Sequence, residues 1–121
     1  MARNMSFMLT TQQIIDETKT VTRRLGWRFL NVGDELWAVE KAMGFKKGEK
    51  INRLKKIRII GKRYEPLQAI DKPDCIREGF PDMTPDDFVK MFCSHMNCEP
   101  EQQVTRIEFE YIPQGSLGKP Q

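Results

Sequence analysis

Leu54-Lys55-Lys56-Ile57-Arg58-Ile59-Ile60-Gly61-Lys62-Arg63-Tyr64 decides the fold. In this stretch Ile57 and Ile59 share one face while Lys56 and Arg58 take the other, the two-residue period of a strand with one covered side. The run is long for a strand, and Gly61 near its middle marks a bulge, where an extra residue bends the ladder. Downstream, Val104 to Tyr111 has the same period: Ile107, Phe109 and Tyr111 face inward and Arg106, Glu108 and Glu110 outward. Upstream, Gly33-Asp34 is a turn signal. Glu35 to Glu40 follows as a strand, with Leu36 and Ala38 on one face and Trp37 and Val39 on the other. Both of its faces need partial cover, as in a closed or wrapped sheet.

Helices are inserted between these strands. Met5 to Leu9 reads as a first strand. Thr10 then caps a short helix, with Gln13 as its capping-box partner and Ile14 and Ile15 on the buried side. Pro66 to Ile70 and Asp74 to Phe80 read as short helical turns, the second ending at Gly79. Thr84-Pro85-Asp86-Asp87 is a helix start: a capping Thr, Pro at the first helical position and acids in the first turn. Phe88, Met91, Phe92 and His95 then fall at i, i+3, i+4 and i+7, one apolar stripe; Phe88, Met91 and Phe92 are expected to be buried, and His95, at its frayed end, is read as structural rather than catalytic. The sum is a small α+β domain, a mixed β-barrel with helices over its openings, spanning residues 1–112, with a tail from 113 to 121.

The chain has 121 residues, room for one domain and a real core. Its 39% hydrophobic and 31% charged residues suit a thin core under a wet surface. Neither a secretory leader nor a membrane-length apolar run is visible, so the expected location is the cytoplasm, away from any membrane. An odd count of three cysteines, Cys75, Cys93 and Cys98, then argues for free thiols. Cys93, His95 and Cys98 lie close in sequence. There is no C-x-x-C knuckle, however, and Cys93 and His95 would leave a helix on different sides, so no metal is expected.

Charge is unevenly spread. Lys41 to Arg63 holds ten bases and one acid, whereas Glu65 to Glu101 holds nine acids and three bases. Lys41 to Lys50, with Gly44 and Gly48, reads as a loop or hairpin tip. Lys46, Lys47, Lys50, Lys55 and Lys56 are candidates to grip a polyanion, the alternative being a solvated lysine-rich hairpin.

The chemistry concentrates in Thr18-Lys19-Thr20-Val21-Thr22-Arg23-Arg24. Lys19 and Thr22 meet if the segment is turned and part if it is a straight strand. A lysine beside a hydroxyl works as base and nucleophile once its pKa falls from about 10.4 toward neutrality, which burial and neighbouring cations favour. Arg23 and Arg24 supply the cations. The alternative is an ordinary exposed edge. Trp27 can stack on a base, and Trp37, inside a strand, is the expected core member of the tryptophan pair. Glu78, in Arg77-Glu78-Gly79-Phe80, is a carboxylate before a glycine turn whose aim the residues alone leave open.

Taken together, Thr18 to Arg24 after a short helix, Val32-Gly33-Asp34 opening a strand, the strand around Ile57 to Ile60, Glu78-Gly79-Phe80 before an acidic Phe-containing helix, and Arg106-Ile107-Glu108-Phe109 as the last strand resemble the ASCH domain of the PUA-like superfamily over residues 4–112. The chain looks most like the short stand-alone members of phages and prophages. The resemblance implies a helix-covered β-barrel with a cleft, and RNA or a modified nucleoside as partner. It also implies metal- and cofactor-independent amidohydrolase chemistry, in which small members remove the N4-acyl group of an acylated cytidine. Lys19, Thr22 and Glu78 match the catalytic Lys, Thr and Glu position by position. Arg23, Arg24, Trp27 and the five lysines are the candidate nucleic-acid contacts. The basic Lys41 to Arg58 segment and the Trp27 region depart from the family pattern. Two other readings stand beside catalysis: an RNA-binding module using the cleft and the Lys41 to Arg63 surface, and a phage-type regulator that binds a host protein through the acidic helix Asp86 to His95. None of the three catalytic candidates is expected in the core, so replacing them should cost little stability.

Overall fold

In a computed structural model describing residues 3–113, the strands form one curled five-stranded mixed sheet, a half-barrel. The strands are β1 (Arg3–Ser6), β2 (Val21–Arg24), β3 (Glu35–Val39), β4 (Arg53–Pro66) and β5 (Gln103–Tyr111). Their order across the sheet is β1-β3-β4-β5-β2; β1 runs parallel to β3 and every other pair is antiparallel. The helices are α1 (Thr11–Ile15), α2 (Lys72–Arg77) and α3 (Pro85–Met96), with 3₁₀ turns at Met8–Thr10 and Leu67–Ala69. The expected tail lies, Pro113 apart, outside the described residues.

β4 is the spine, pairing with both β3 and β5. The register against β5 jumps from Ile59–Phe109 to Gly61–Glu108, leaving Ile60 as the extra residue. This is the bulge the glycine marked, and it bends a 14-residue strand so that the sheet can curl. Curling brings the sheet's edges, β1 and β2, together. No backbone ladder pairs them. Instead the Arg24 Nη2 donates to the Ser6 carbonyl at 2.7 Å, and its guanidinium lies 4.6 Å over the Phe7 ring.

The curl encloses a first core of Met5, Phe7, Ile14, Leu36, Ile57 and Phe109, among others. A second core, between the sheet's other face and the helices, contains Leu67, Cys75, Phe88, Phe92 and Val104. β5 serves both through its alternation. Ile107 and Phe109 enter the first, while Val104 turns to the second and Arg106 with it. Arg106 therefore does not face solvent as its charge suggested; it is buried under α2 against Asp74.

Three further expectations are corrected. The first strand ends at Ser6, and Met8 to Leu9 belong to a turn. Thr10 precedes α1 without a side-chain cap, and Gln13 reaches across the fold to the Gly79 carbonyl at 3.1 Å instead. The tryptophans exchange roles: Trp27 packs against the first core, whereas Trp37 lies between the Arg53 and Lys56 cations, 4.9 and 5.4 Å from its ring. α3 begins as read, with the reciprocal Thr84–Asp87 capping box and Pro85 in the first turn. Phe88 and Phe92 are buried and stack at 6.2 Å, but Met91 is only half-buried, because its part of the helix faces an open cleft. Phe88→Ala should cost about 3–5 kcal/mol, as large-to-small core changes do. A denaturant midpoint that stays put would show α3 undocked from the sheet.

Candidate functional site

A cleft of about 240 Å³ opens between the β1–β2 gap and α3. Its lining combines polar side chains, Lys19, Thr22, Arg23, Arg24 and Glu78, with apolar ones, among them Phe7, Phe80 and, from α3, Phe88, Met91, Phe92 and Met96. That volume suits part of a small ligand and excludes a duplex.

Lys19 stands just before β2, which starts at Val21, so strand alternation does not govern it. It lines the same cleft as Thr22. The bend before Val21 is held at several points: Thr20 donates from its backbone to Arg77, Phe109 donates to Thr20, and the Tyr111 hydroxyl donates to the Lys19 carbonyl at 2.5 Å. Glu78 follows α2, whose start is fixed by the Asp71 carboxylate accepting from the Asp74 backbone at 2.9 Å. Gly79 follows with φ +98, a conformation only glycine takes freely, and a Cβ there would stand 2.8 Å from Gln13 Cγ. Gln13 and Gly79 thus lock the turn that presents Glu78.

Within the cleft, Lys19 Nζ donates to Glu78 Oε1 at 2.7 Å and to the Glu78 carbonyl at 2.8 Å. Arg23 Nη1 donates to Glu78 Oε2 at 3.2 Å. Arg24 Nε donates to Thr22 Oγ1 at 3.0 Å. That bond occupies an acceptor site of the hydroxyl and leaves its O–H to point elsewhere. Lys19, Thr22 and Glu78 are 3%, 3% and 2% exposed, so they are buried rather than outside the interior as expected.

Burial pushes the Lys19 ammonium below the ordinary lysine range. The Glu78 charge and hydrogen bond resist this, while Arg24 and Arg23 add to it. Burial also pushes Arg24 down, to about 10, against the attraction of Glu78. Burial works against Arg23 too, yet Asp74, Glu78 and Glu65 outweigh it and hold the guanidinium charged. Behind the cleft the charges alternate. Arg23 Nη2 donates to Asp74 at 2.5 Å and to Glu65 at 2.7 Å, and Arg106 grips Asp74 with two bonds of 2.6 and 2.9 Å.

The nucleic-acid candidates scatter. The Arg23 side chain is 1% exposed and committed to carboxylates, so no phosphate can reach it. Arg24 points into the cleft. Trp27 is absent from the cleft lining and packs at a tilt against Phe29, ring centroids 5.3 Å apart. Lys55 pairs with Glu17 at 2.9 Å and Lys56 with Glu35 at 3.6 Å, acids contributed from outside the basic segment. Lys46, Lys47 and Lys50 stand exposed in a loop. His95, exposed at the end of α3, lines the cleft rim. The helical stripe gave its position, but nothing in the sequence gave the cleft it borders. Among the described residues, no three His, Cys, Asp or Glu side chains are arranged to hold a metal ion. No described helix is long and apolar enough to cross a membrane.

No protein-family model and no curated protein sequence matches the chain. Solved structures do. The hypothetical protein PH0355 superposes with a TM-score of 0.65 at 19% identity, over 93% of this chain and all of that one. A DUF984-family protein from Enterococcus faecalis gives 0.64 at 13% identity, covering 93% and 76% of the two chains. The ASCH domain from Lactobacillus crispatus gives 0.61 at 13% identity, covering 90% and 78%. The chain has an ASCH-type fold.

Proposed function

We propose that this ASCH-type domain hydrolyses the N4-acyl amide of an acylated cytosine nucleoside. The observation that carries the reading is the buried Lys19–Glu78 pair opening onto the same cleft as the Thr22 hydroxyl. Burial, with Arg24 and Arg23 nearby, favours the neutral Lys19 amine that a base must present, against the attraction of Glu78. The neutral Lys19 then accepts the Thr22 proton as the hydroxyl oxygen bonds to the acyl carbon. Arg24, which donates to Thr22 Oγ1, supplies positive charge beside the reacting hydroxyl. The C–N bond breaks as Lys19 returns the proton to the leaving exocyclic amine. Water then cleaves the acyl-threonine, freeing a carboxylic acid and the hydroxyl. The apolar lining around Phe80, Phe88 and Phe92 takes the uncharged parts of the substrate. Incubation with a panel of N4-acylated cytidines, with products identified by mass, tests the reading. Release of cytidine and free acid supports it; an unchanged panel overturns it.

A second reading, binding without catalysis, is favoured by the exposed Lys46, Lys47 and Lys50 and by the outer surface where Arg28 covers Tyr64 at 4.4 Å and Arg3 covers the exposed Phe29 at 4.7 Å. Cations over aromatics suit single-stranded nucleic acid. Replacing Lys46, Lys47 and Lys50 together by Gln should then lower the salt slope of RNA binding by about 2–3, close to one for each phosphate no longer neutralised. Absence of RNA binding at low salt would discard this reading.

A further inference from the structure

Beyond the apolar wall that α3 gives the cleft, the helix ends in a second chemical feature. Cys93 and Cys98 are free, and their sulfurs stand 4.0 Å apart, sharing a hydrogen bond. Backbone geometry puts them there. Asn97 ends α3 in the left-handed conformation, φ 53, and the Cys98 amide turns back to the Cys93 carbonyl at 3.3 Å. This is the six-to-one closure of a helix C-terminus, which folds residue 98 over residue 93. The proximity is therefore set by six consecutive residues and does not wait on distant packing. Both side chains are half-buried against the second core, with their surfaces still open to solvent.

We infer that Cys93 and Cys98 form a dithiol modification site that closes into an intrachain disulfide when it meets a low-molecular-weight disulfide. A disulfide needs sulfurs at about 2.05 Å, so from 4.0 Å each must move by roughly 1 Å. The exchange has two steps. The Cys98 thiolate attacks one sulfur of the small disulfide, forming a mixed disulfide and expelling one thiolate. The Cys93 thiolate then attacks the Cys98 sulfur, forming the Cys93–Cys98 bond and expelling the second. Each expelled thiolate takes up the proton that a cysteine lost. Two protein thiols are oxidised and one small disulfide is reduced to two thiols. Burial, the Cys98 thiol and the carboxylates of Glu99 and Glu101 hold the Cys93 thiol above its ordinary range, which suits it to the second, intramolecular step, where proximity compensates for a scarce thiolate. Cys75 is fully buried in the second core and stays out of the exchange. The bond would staple the turn that carries His95 and Met96 at the cleft rim.

The test is equilibration of the native full chain with a graded glutathione–glutathione disulfide buffer at about pH 8, near the ordinary cysteine pKa. Free thiols are then alkylated, and the protein is digested and weighed. The expected result is loss of two of the three alkylatable thiols, a cross-linked peptide joining Cys93 to Cys98 with two hydrogens missing, and almost no retained glutathione. Cys93→Ser and Cys98→Ser should each block the cross-link, and Cys93→Ser should leave a stable glutathione adduct on Cys98. Wild-type protein that keeps all three thiols, or that accumulates glutathione adducts without closing, overturns the assignment. So does a cross-link through Cys75 or between two chains. None of these readouts depends on turnover of an acylated nucleoside, so the inference and the proposed function fail separately.

Discussion

Thr22→Val should reduce turnover of an acylated cytidine by at least about 10³-fold, because it removes the atom that carries the acyl group while keeping the side chain's shape. Lys19→Met and Glu78→Gln should cost about 10²–10⁴-fold each, the range of a lost acid–base partner. The three residues form one proton path, so the double variant Thr22→Val/Glu78→Gln should be little worse than Thr22→Val alone. Thr22→Ser should keep activity, since it keeps the hydroxyl. Conservative replacements are essential here because the trio is buried. Glu78→Ala would leave the Lys19 ammonium without its carboxylate in a dry site, and unfolding would then be mistaken for lost chemistry. Unfolding midpoints must therefore accompany the rates. Full turnover by folded Thr22→Val would exclude the acyl-threonine route, and additive losses would show that the residues do not share one step.

The physics of each element explains what could be read in advance. Strands β3, β4 and β5 announced themselves because the face turned to the first core writes a two-residue period into Leu36–Ala38, Ile57–Ile59 and Ile107–Phe109. The α3 start was legible because Thr84, Pro85 and Asp87 act within one turn. Burial of charge was not legible. Arg106, Arg23 and Asp74 have the composition of a surface, and only their mutual neutralisation, across 32 and 51 residues of sequence, makes burial tolerable. The same holds for the basic middle, whose apparent excess is offset in space by Glu17, Glu35 and Glu110. Gln13 was read as a local cap because capping is a short-range rule. Its partner is the carbonyl of Gly79, 66 residues away. As for the cleft, spacing alone left open whether Lys19 and Thr22 share a face; both line the cleft, with Lys19 bonded to Glu78 and Thr22 to Arg24. The bend ahead of Val21 depends on backbone bonds to Arg77 and Phe109 that no local pattern encodes.

Asp74→Ala should be strongly destabilising, on a par with the loss of a large core side chain. The carboxylate is 3% exposed and accepts from Arg23, Arg77 and Arg106. Arg23 would keep Glu65 and Glu78, but Arg106 would keep only a distant Glu108 at 3.8 Å. Removing one member of a buried ion network costs about 3–5 kcal/mol, mainly through the charge left behind. Against a total of about 5–15 kcal/mol for a domain, that is a large share. The pH dependence follows from the same group. Burial alone would raise the Asp74 pKa, but hydrogen bonds from Arg106, Arg23 and Arg77 outweigh it and hold the carboxyl well below the usual range. A depressed folded-state pKa means the stabilisation is complete above the unfolded value, near about 3.9, and is lost as pH falls below it toward the folded value. Wild-type stability should therefore drop steeply below about pH 4, and part of that drop should vanish in Asp74→Asn. The variant also tests the cleft, because Arg23 is the link between Asp74 and Glu78. With Asp74 neutral, Arg23 loses one of its anchors, and turnover should fall even where the protein remains folded at neutral pH. Chemical denaturation of wild type and both variants between about pH 3 and pH 7, a range that brackets the unfolded carboxyl pKa, decides the matter. A loss under about 1 kcal/mol for Asp74→Ala at neutral pH would mean that water already solvates the network, as it does exposed ion pairs, and that Arg23 is held in place by Glu65 and Glu78 alone.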